Sequence, residues 1–435
     1  MSNWKWIFKW SLCSFVGVCI PQELLTRQVM SLEFMDPPSP EYCCSFYATD
    51  VSADGSVVVG IYRPVDHQYG WRWEDGVLEI LPVSFPIVNC FVAEDGNPVF
   101  GNARDGESTF PFSLDFTNPD APAMVDLPTF GDGGRCEIRA VSEDENVYAG
   151  FGYFLDGSYQ ACIWQGGAVS GLDYLNSGDT ISNALDISSD GAVIVGYSGS
   201  GGESPTHAVQ WKNGVVSALT KLPGDESKSY VANHVTSDGT RIFGHMPHGS
   251  APDNLYGMLF TANQGTIQWV EGIPERLEQL TNFHLIMDTS SDGSRLVINQ
   301  VLWGSAIEDM MAFLATEEMD FLPVYLNEIT DAQGVDRKGL YFSLANAISR
   351  DGKTIVGYIR SWGDSSEKWR GPFRLQILDM YGPYQITDGL CDSSPWLGKL
   401  WVENDPWIWS LDMNHWFYCP GENLTQSGAW VYVPK

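Results

Sequence analysis

The sequence predicts an all-β chain, and three observations carry the prediction. One stretch, Ala184-Leu-Asp-Ile-Ser-Ser-Asp190-Gly191-Ala-Val-Ile-Val-Gly196, sets two apolar runs about an Asp-Gly turn, and six further copies align on Asp54, Asp95, Asp144, Asp238, Asp292 and Asp351. The Asp-to-Asp spacings are 41, 49, 46, 48, 54 and 59 residues. In six copies a Gly stands six residues after the Asp (Gly60, Gly101, Gly150, Gly196, Gly244 and Gly357), and the copy at Asp292 has Ile298 there. Gly inside a strand marks a bulge or a close backbone approach. Strand repeats of this period are the pattern of a β-propeller. The expected architecture is therefore a seven-bladed β-propeller of four-stranded blades over residues 31–379, followed by a small C-terminal antiparallel β module over residues 381–435.

Each element follows from local chemistry. The Asp-Gly pair reads as a two-residue hairpin loop, in which φ > 0 suits Gly and, less readily, Asp. Where Glu145 replaces the Gly, a turn of another type is expected. Strands of the first blade read as 47–52, 56–63, 70–74 and 77–81, and the fourth blade repeats that order at 184–188, 192–198, 207–212 and 215–219. The third strand carries Trp, as in Trp71-Arg-Trp73, Cys162-Ile-Trp164 and Val209-Gln-Trp211, and a Gly-containing turn follows it. The last blade is one strand short after 372–378. Residues 31–35 are expected to supply that strand and close the ring, which leaves no open sheet edge.

The chain holds 24 Lys+Arg against 55 Asp+Glu among 435 residues, a formal charge of −31. That balance argues against nucleic acid and anionic lipid as partners, since both need basic patches. Calcium is the one ion such a surface invites. The turn carboxylates lack the further oxygens at fixed offsets that a calcium loop requires, so no cofactor or metal is assigned. Nine Cys fit no zinc pattern, and Cys391 with Cys419 is the preferred pair because both fall in the short C-terminal region. Residues 1–29 set Lys5 and Lys9 ahead of an apolar run from Trp10 to Ile20. A secretory signal, an uncleaved anchor and a start at Met30 are the three readings of that segment. No other run approaches the length of a membrane-spanning helix, so no transmembrane bundle is expected.

The repeat unit, Ala-x-x-Val/Ile-Ser-x-Asp-Gly-x-x-Val-x-Val-Gly followed by an aromatic strand, resembles the HAF-type extracellular repeats of bacterial secreted and surface proteins. The resemblance spans residues 31–379 and is clearest in the first, fourth, fifth and seventh copies; Pro98 interrupts the second. It implies a propeller-like array and export through the secretory route to the cell surface or beyond. It brings no catalytic residue with it.

The tail differs in character, with six of the 17 Trp. Trp407-Ile-Trp409 and Trp416-Phe-Tyr418 flank Asp412-Met-Asn414 as a hairpin, and 429–433 reads as a third strand. It resembles the Trp-rich C-terminal modules of some bacterial exported proteins. Trp401, Trp407, Trp409, Trp416 and Trp430 are the candidate glycan-stacking residues; the same residues would equally fill the core of a small sheet. Chemistry elsewhere is sparse. Asp50 with Asp54, Asp186 with Asp190, and Asp288 with Asp292 invite a metal reading, but turn capping explains such Asp more simply. His245 and His248 stand in a Pro/Gly loop. No Gly-x-Ser-x-Gly elbow, phosphate loop or zincin helix is present, so no catalytic residue is assigned. The expected function is an exported, non-catalytic binding or surface-interaction protein that takes a polysaccharide or protein at the cell surface. The alternatives are a polysaccharide hydrolase or lyase, with two carboxylates at the channel mouth, and a structural envelope component.

Overall fold

Local structure is set at the Ser-x-Asp-Gly turns. Ser52 Oγ accepts the Val57 N–H at 3.0 Å and donates to Asp54 Oδ1 at 2.8 Å, and that oxygen also accepts the Ser56 N–H at 2.9 Å. The Gly55 N–H donates to Ser52 O, and Ser52 N–H to Val57 O. The loop is thus four residues long, 53–56, rather than two. Only its Gly is left-handed, with φ +75° at Gly55 and +70° at Gly191. Asp54 keeps an ordinary φ because its carboxylate must fold back over the turn to cap it. Ser188, Ser290, Ser349 and Thr236 repeat the arrangement with Asp190, Asp292, Asp351 and Asp238. Glu145 does not change the turn. It adopts φ +55°, and its N–H donates to Ser142 O as the Gly does elsewhere. The Ser142–Val147 bonds hold the loop, and Glu bears the left-handed penalty.

The structure, a computed structural model, describes residues 29–36, 45–64, 67–119, 121–132, 134–143, 145–201, 206–221, 224, 227–245, 259–263, 266–269, 282–302, 310–319, 321, 323–361, 370–378, 380–381, 384–387, 390–392, 399–401, 407–410 and 415–418. The segment 1–28, Cys419, Trp430, His248 and the strand expected at 429–433 lie outside these residues. Among them, no helix is long and apolar enough to cross a membrane.

The turns join antiparallel strands into five four-stranded sheets and one eight-stranded sheet. In the first, Ser45–Val51, Val57–Arg63, Tyr69–Glu74 and Val77–Ile80 lie side by side in chain order. The eight-stranded sheet is two such meanders, 136–171 and 181–218, joined by one parallel pair, Tyr159 with Ile181. In the sheet of Leu340–Ile348, Thr354–Ser361 and Arg370–Leu378, the fourth strand is Val29–Phe34 from the other end of the chain. The Met35 N–H donates to Pro372 O, and Glu33 pairs with Arg374 at 2.9 Å. The fourth strand of the Asp292 unit shrinks to Val324–Tyr325 and runs into a helix, Leu326–Ala332, which the strand pattern did not announce.

The first strand of each unit carries a bulge, and in most units it faces the repeat Gly. The shift between Ala48 and Asp50 leaves Thr49 unpaired, with Ala48 opposite Gly60. The shift between Ala184 and Asp186 leaves Leu185 unpaired, with Ala184 opposite Gly196. A Cβ on Gly60 would lie 2.2 Å from Tyr47 O, one on Gly196 1.9 Å from Asn183 O, and one on Gly357 2.1 Å from Leu344 O. The Gly is therefore required by the bulge, because the kinked carbonyl fills the place of a side chain. Only the Asp292 unit sets Ile298 there, buried and opposite Ile286.

The hydrophobic core lies between neighbouring sheets. Val57, Val59 and Ile61 pack with Ile87, Val99 and Phe112 of the next sheet, and Val193 and Val195 with Tyr230, Ala232 and Ile242. Met35, Phe46 and Trp71 pack with Ala347 and Val356, so the last sheet meets the first. Backbone bonds run the same way. In five units the residue before the turn Asp donates to its counterpart one unit on: Ala53 to Glu94 O, Glu143 to Ser189 O, Ser189 to Ser237 O, Ser237 to Ser291 O and Ser291 to Arg350 O. The Asp351 N–H then donates back to Ala53 O.

The chain divides into two compact units, residues 32–328 with 337–375, and the remainder, which includes 376–435. In the tail, strands between Met380 and Tyr418 form one sheet in chain order, and Trp407–Ser410 pairs with His415–Tyr418 as the expected hairpin.

Candidate functional site

The bulges point residues away from the ladder, and these residues meet. A cavity of about 220 Å³ is lined by the residue four places before the turn Asp from every unit: Asp50, Phe91, Ala140, Asp186, His234, Asp288 and Ala347. The bulged residues Thr49, Arg139, Leu185, Met287 and Asn346 also line it, with Glu94 and Arg350, each one place before a turn Asp.

Three of its carboxylates are held by backbone. Asp50 accepts the Val51 N–H at 2.8 Å on one oxygen and the Val92 N–H of the next sheet at 2.9 Å on the other. Asp186 accepts from Ile187 and Val235, and Asp288 from Thr289 and Ile348. Each therefore staples two units together. These three do not cap the turns; Asp54, Asp190 and Asp292 do. Burial pushes the Asp50 carboxyl up to about 7 against the pull of those two N–H bonds. Burial likewise raises Asp288, partly offset by His234 and Arg350. His234 sits between two of the staples, with Nδ1 3.6 Å from Asp186 and 4.0 Å from Asp288. Burial would lower it, but Asp186 and Asp288 outweigh burial and raise it. Arg350 Nε lies 2.5 Å from Glu94 Oε1, reaching past the intervening unit. Burial raises Glu94, and Arg350 opposes that rise.

Of the candidate tail residues, Trp401 pairs with Trp409 and Trp409 with Trp416 on successive strands, and Trp407 pairs with Tyr418. Alternation then places positions 401, 407, 409 and 416 on one face of that sheet. Trp430 lies outside the described residues. Among the described residues, no group of three or more His, Cys, Asp or Glu is placed to hold a metal ion. His245 ends Arg241–His245, with Nδ1 2.6 Å from Asn233 Oδ1. Burial and then His234 push it down to about 4. Sequence reasoning passed over Arg139, His234, Glu94 and Arg350. Their shared signal is a fixed offset from the turn Asp, at −5, −4 and −1.

No family model matches the chain, and no curated relative does. Solved structures do. Puromycin hydrolase, as its S511A mutant, superposes with a TM-score of 0.51 at 12% identity, covering 75% of this chain and 53% of that one. The β-propeller domain of the Trilobed protease from Pyrococcus furiosus gives 0.50 at 12% identity, covering 78% and 99%. TolB from Acinetobacter baumannii gives 0.42 at 13% identity, covering 63% and 65%, so the chain spans less than two thirds of that protein. At these identities the likeness defines a fold alone: the chain is an all-β protein of the β-propeller kind.

Proposed function

We propose that the protein is an exported, non-catalytic binding protein. In this reading residues 31–379 form a closed seven-bladed propeller of HAF-type repeats whose channel cavity takes the ligand. Residues 381–435 form a separate Trp-rich module for glycan at the cell surface. The seven-fold ring is supported by the cavity, to which every turn unit gives the equivalent residue, and by the hydrogen bond from Asp351 back to Ala53. The non-catalytic reading rests on one observation. Both oxygens of Asp50, Asp186 and Asp288 accept backbone N–H groups from two units. A glycosidase needs one carboxyl free to give a proton and another free to attack or to activate water. Acids already engaged in holding the ring are poorly placed for either role.

The test uses the full chain against cell-wall glycans, other polysaccharides and peptides, with binding and product release measured together. Binding without new reducing ends or cleaved peptide is the expected result. Turnover that disappears in Asp50→Asn or Asp288→Asn would establish the hydrolase instead. Glycan binding that survives the triple change Trp401→Ala, Trp409→Ala, Trp416→Ala would remove the tail from the proposal.

A further inference from the structure

We propose that the Arg139 wall of the cavity is a receptor for the carboxylate of a single uronate sugar, either free or at the end of a glycan. This rests on the reading of the cavity as a binding site and names its ligand class.

Arg139 occupies the bulge position, where other units place Thr49, Leu185, Met287 or Asn346. It is the only cation among those residues. Its guanidinium is fixed from two sides. Nη2 lies 3.0 Å from Glu137 Oε2, and the group sits over the Phe151 ring at 5.3 Å from the centroid. Its Nε is buried and has no hydrogen-bond partner. Arg72 and Arg360 share this feature, but among the three only Arg139 lines the cavity. Glu137 does not neutralise the site, because its other oxygen is 3.2 Å from Arg135 Nη2, and one carboxylate serves two guanidinium groups. Among Arg135, Arg139 and Glu137, one positive charge is left over, in a chain of net charge −31.

Arg139 lines the cavity, a planar guanidinium is matched by a carboxylate, and preorganisation by Phe151 and Glu137 reduces the entropy lost on binding. The rest of the cavity sets the rest of the ligand. Asp50, Asp186 and Asp288 line it too, so a second negative charge is disfavoured and hydroxyl donors are favoured. A volume of about 220 Å³ has room for one sugar ring. One carboxylate on a ring of hydroxyls meets all three conditions.

The experiment is calorimetric titration of the full chain with D-glucuronate, D-galacturonate, D-glucose and a glucuronate-terminated oligosaccharide. Uronate is expected to bind and glucose to bind at least about tenfold more weakly, the worth of one charge-assisted hydrogen bond. Arg139→Met keeps an unbranched side chain without charge and should lose the uronate preference; Arg139→Lys keeps the charge without the fork and should lose most of it. Tighter binding of the oligosaccharide than of free uronate identifies a glycan end as the source, and equal binding a free sugar acid. Equal affinity for glucose and uronate, or uronate binding unchanged in Arg139→Met, overturns the proposal while leaving the cavity a binding site. Absence of binding to every glycan, sugar and peptide tested would instead remove the binding function itself. If Arg139→Met does not fold, the Arg139→Lys titration and the wild-type glucose comparison still decide the matter.

Discussion

Asp50 stands four positions before Asp54, and Asp288 four before Asp292, yet the two members of each pair shift in opposite directions. Asp54 and Asp292 are partly buried, which alone would raise them, but hydrogen bonds from Ser56 and Ser52, and from Ser294 and Ser290, outweigh burial and lower them. Asp50 and Asp288 also accept two N–H bonds each, and there burial wins. The turn Asp serves its own loop and faces solvent; the cavity Asp serves two units and faces other acids. One repeat thus produces a uniform end, made of turns, and a variable interior, made of bulges. The turn recurs because its geometry admits few residues. The bulge position varies because the backbone alone makes the kink and leaves the side chain free.

The largest expected effect tests the uniform part. Gly196→Val sets a branched side chain where a Cβ would lie 1.9 Å from Asn183 O, and should cost about 3–5 kcal/mol or prevent folding. Ile298→Gly, at the equivalent place, should also cost about 3–5 kcal/mol, because a buried side chain is deleted there. Denaturant midpoints for both would check it, and a mild effect of either would mean that the bulge does not govern that position.

Next is the ion pair between Arg350 and Glu94. Arg350→Ala strands Glu94 and should cost about 2–4 kcal/mol, and Arg350→Ala with Glu94→Gln should recover part of that loss. Equal losses in the single and double variants would show that the pair is not coupled.

The pH profile separates the two kinds of Asp. Folded Asp50 holds its proton to about pH 7, whereas an unfolded Asp releases it near about 3.9. Between those values the folded chain binds more protons, so this group makes stability fall as pH rises. His234 is raised, so its contribution is complete below its unfolded value and is lost as pH rises through its folded one. Asp54, Asp238 and Asp292 are lowered, so theirs is present above the unfolded value and is lost as pH falls through the folded one. Asp50→Asn should flatten the decline between about pH 4 and 7, and Asp54→Asn should not. Melting temperatures at half-unit pH steps would show it.

The smallest effect is at the one turn without its Gly. Glu145→Gly should stabilise by about 1 kcal/mol, since it relieves φ +55° in a turn otherwise unchanged. Gly191→Glu should destabilise by a similar or larger amount, because Val147 Cγ2 is 2.9 Å from the new Cβ. No gain at position 145 would mean that the glutamate's own contacts offset the strain.

Much of the fold was legible because the turn is local. Ser, Asp and Gly at fixed offsets write out three hydrogen bonds within six residues, and the Gly six places on records the bulge. The missing fourth strand of the last sheet could be inferred from strand order alone, and Val29–Phe34 fills it. The loop length was misread because the Ser52–Val57 pairing depends on a side-chain oxygen, not on the Asp-Gly pair. The cavity was not legible. Asp50, Asp186 and Asp288 stood out as recurrent acids, but their partners Val92, Val235 and Ile348 lie about a full repeat away. Arg350 and Glu94 are 256 residues apart. No local pattern carries such a pairing.

The strand that completes the last sheet has a mechanical consequence. Met35 meets Pro372, Glu33 meets Arg374 and Ser31 meets Gln376, so the two strands run in opposite directions. Residue 29 and residue 378 therefore sit at the same end of the pair. A pull applied between them does not load all the bonds together in shear; it parts them one after another, like a zipper. Tension applied between those two residues would thus load this seam first. Single-molecule pulling between handles at 29 and 378 should give an early low-force step of about one strand's length. A cysteine cross-link between positions 33 and 374 should abolish that step, and its persistence would place the weak point elsewhere.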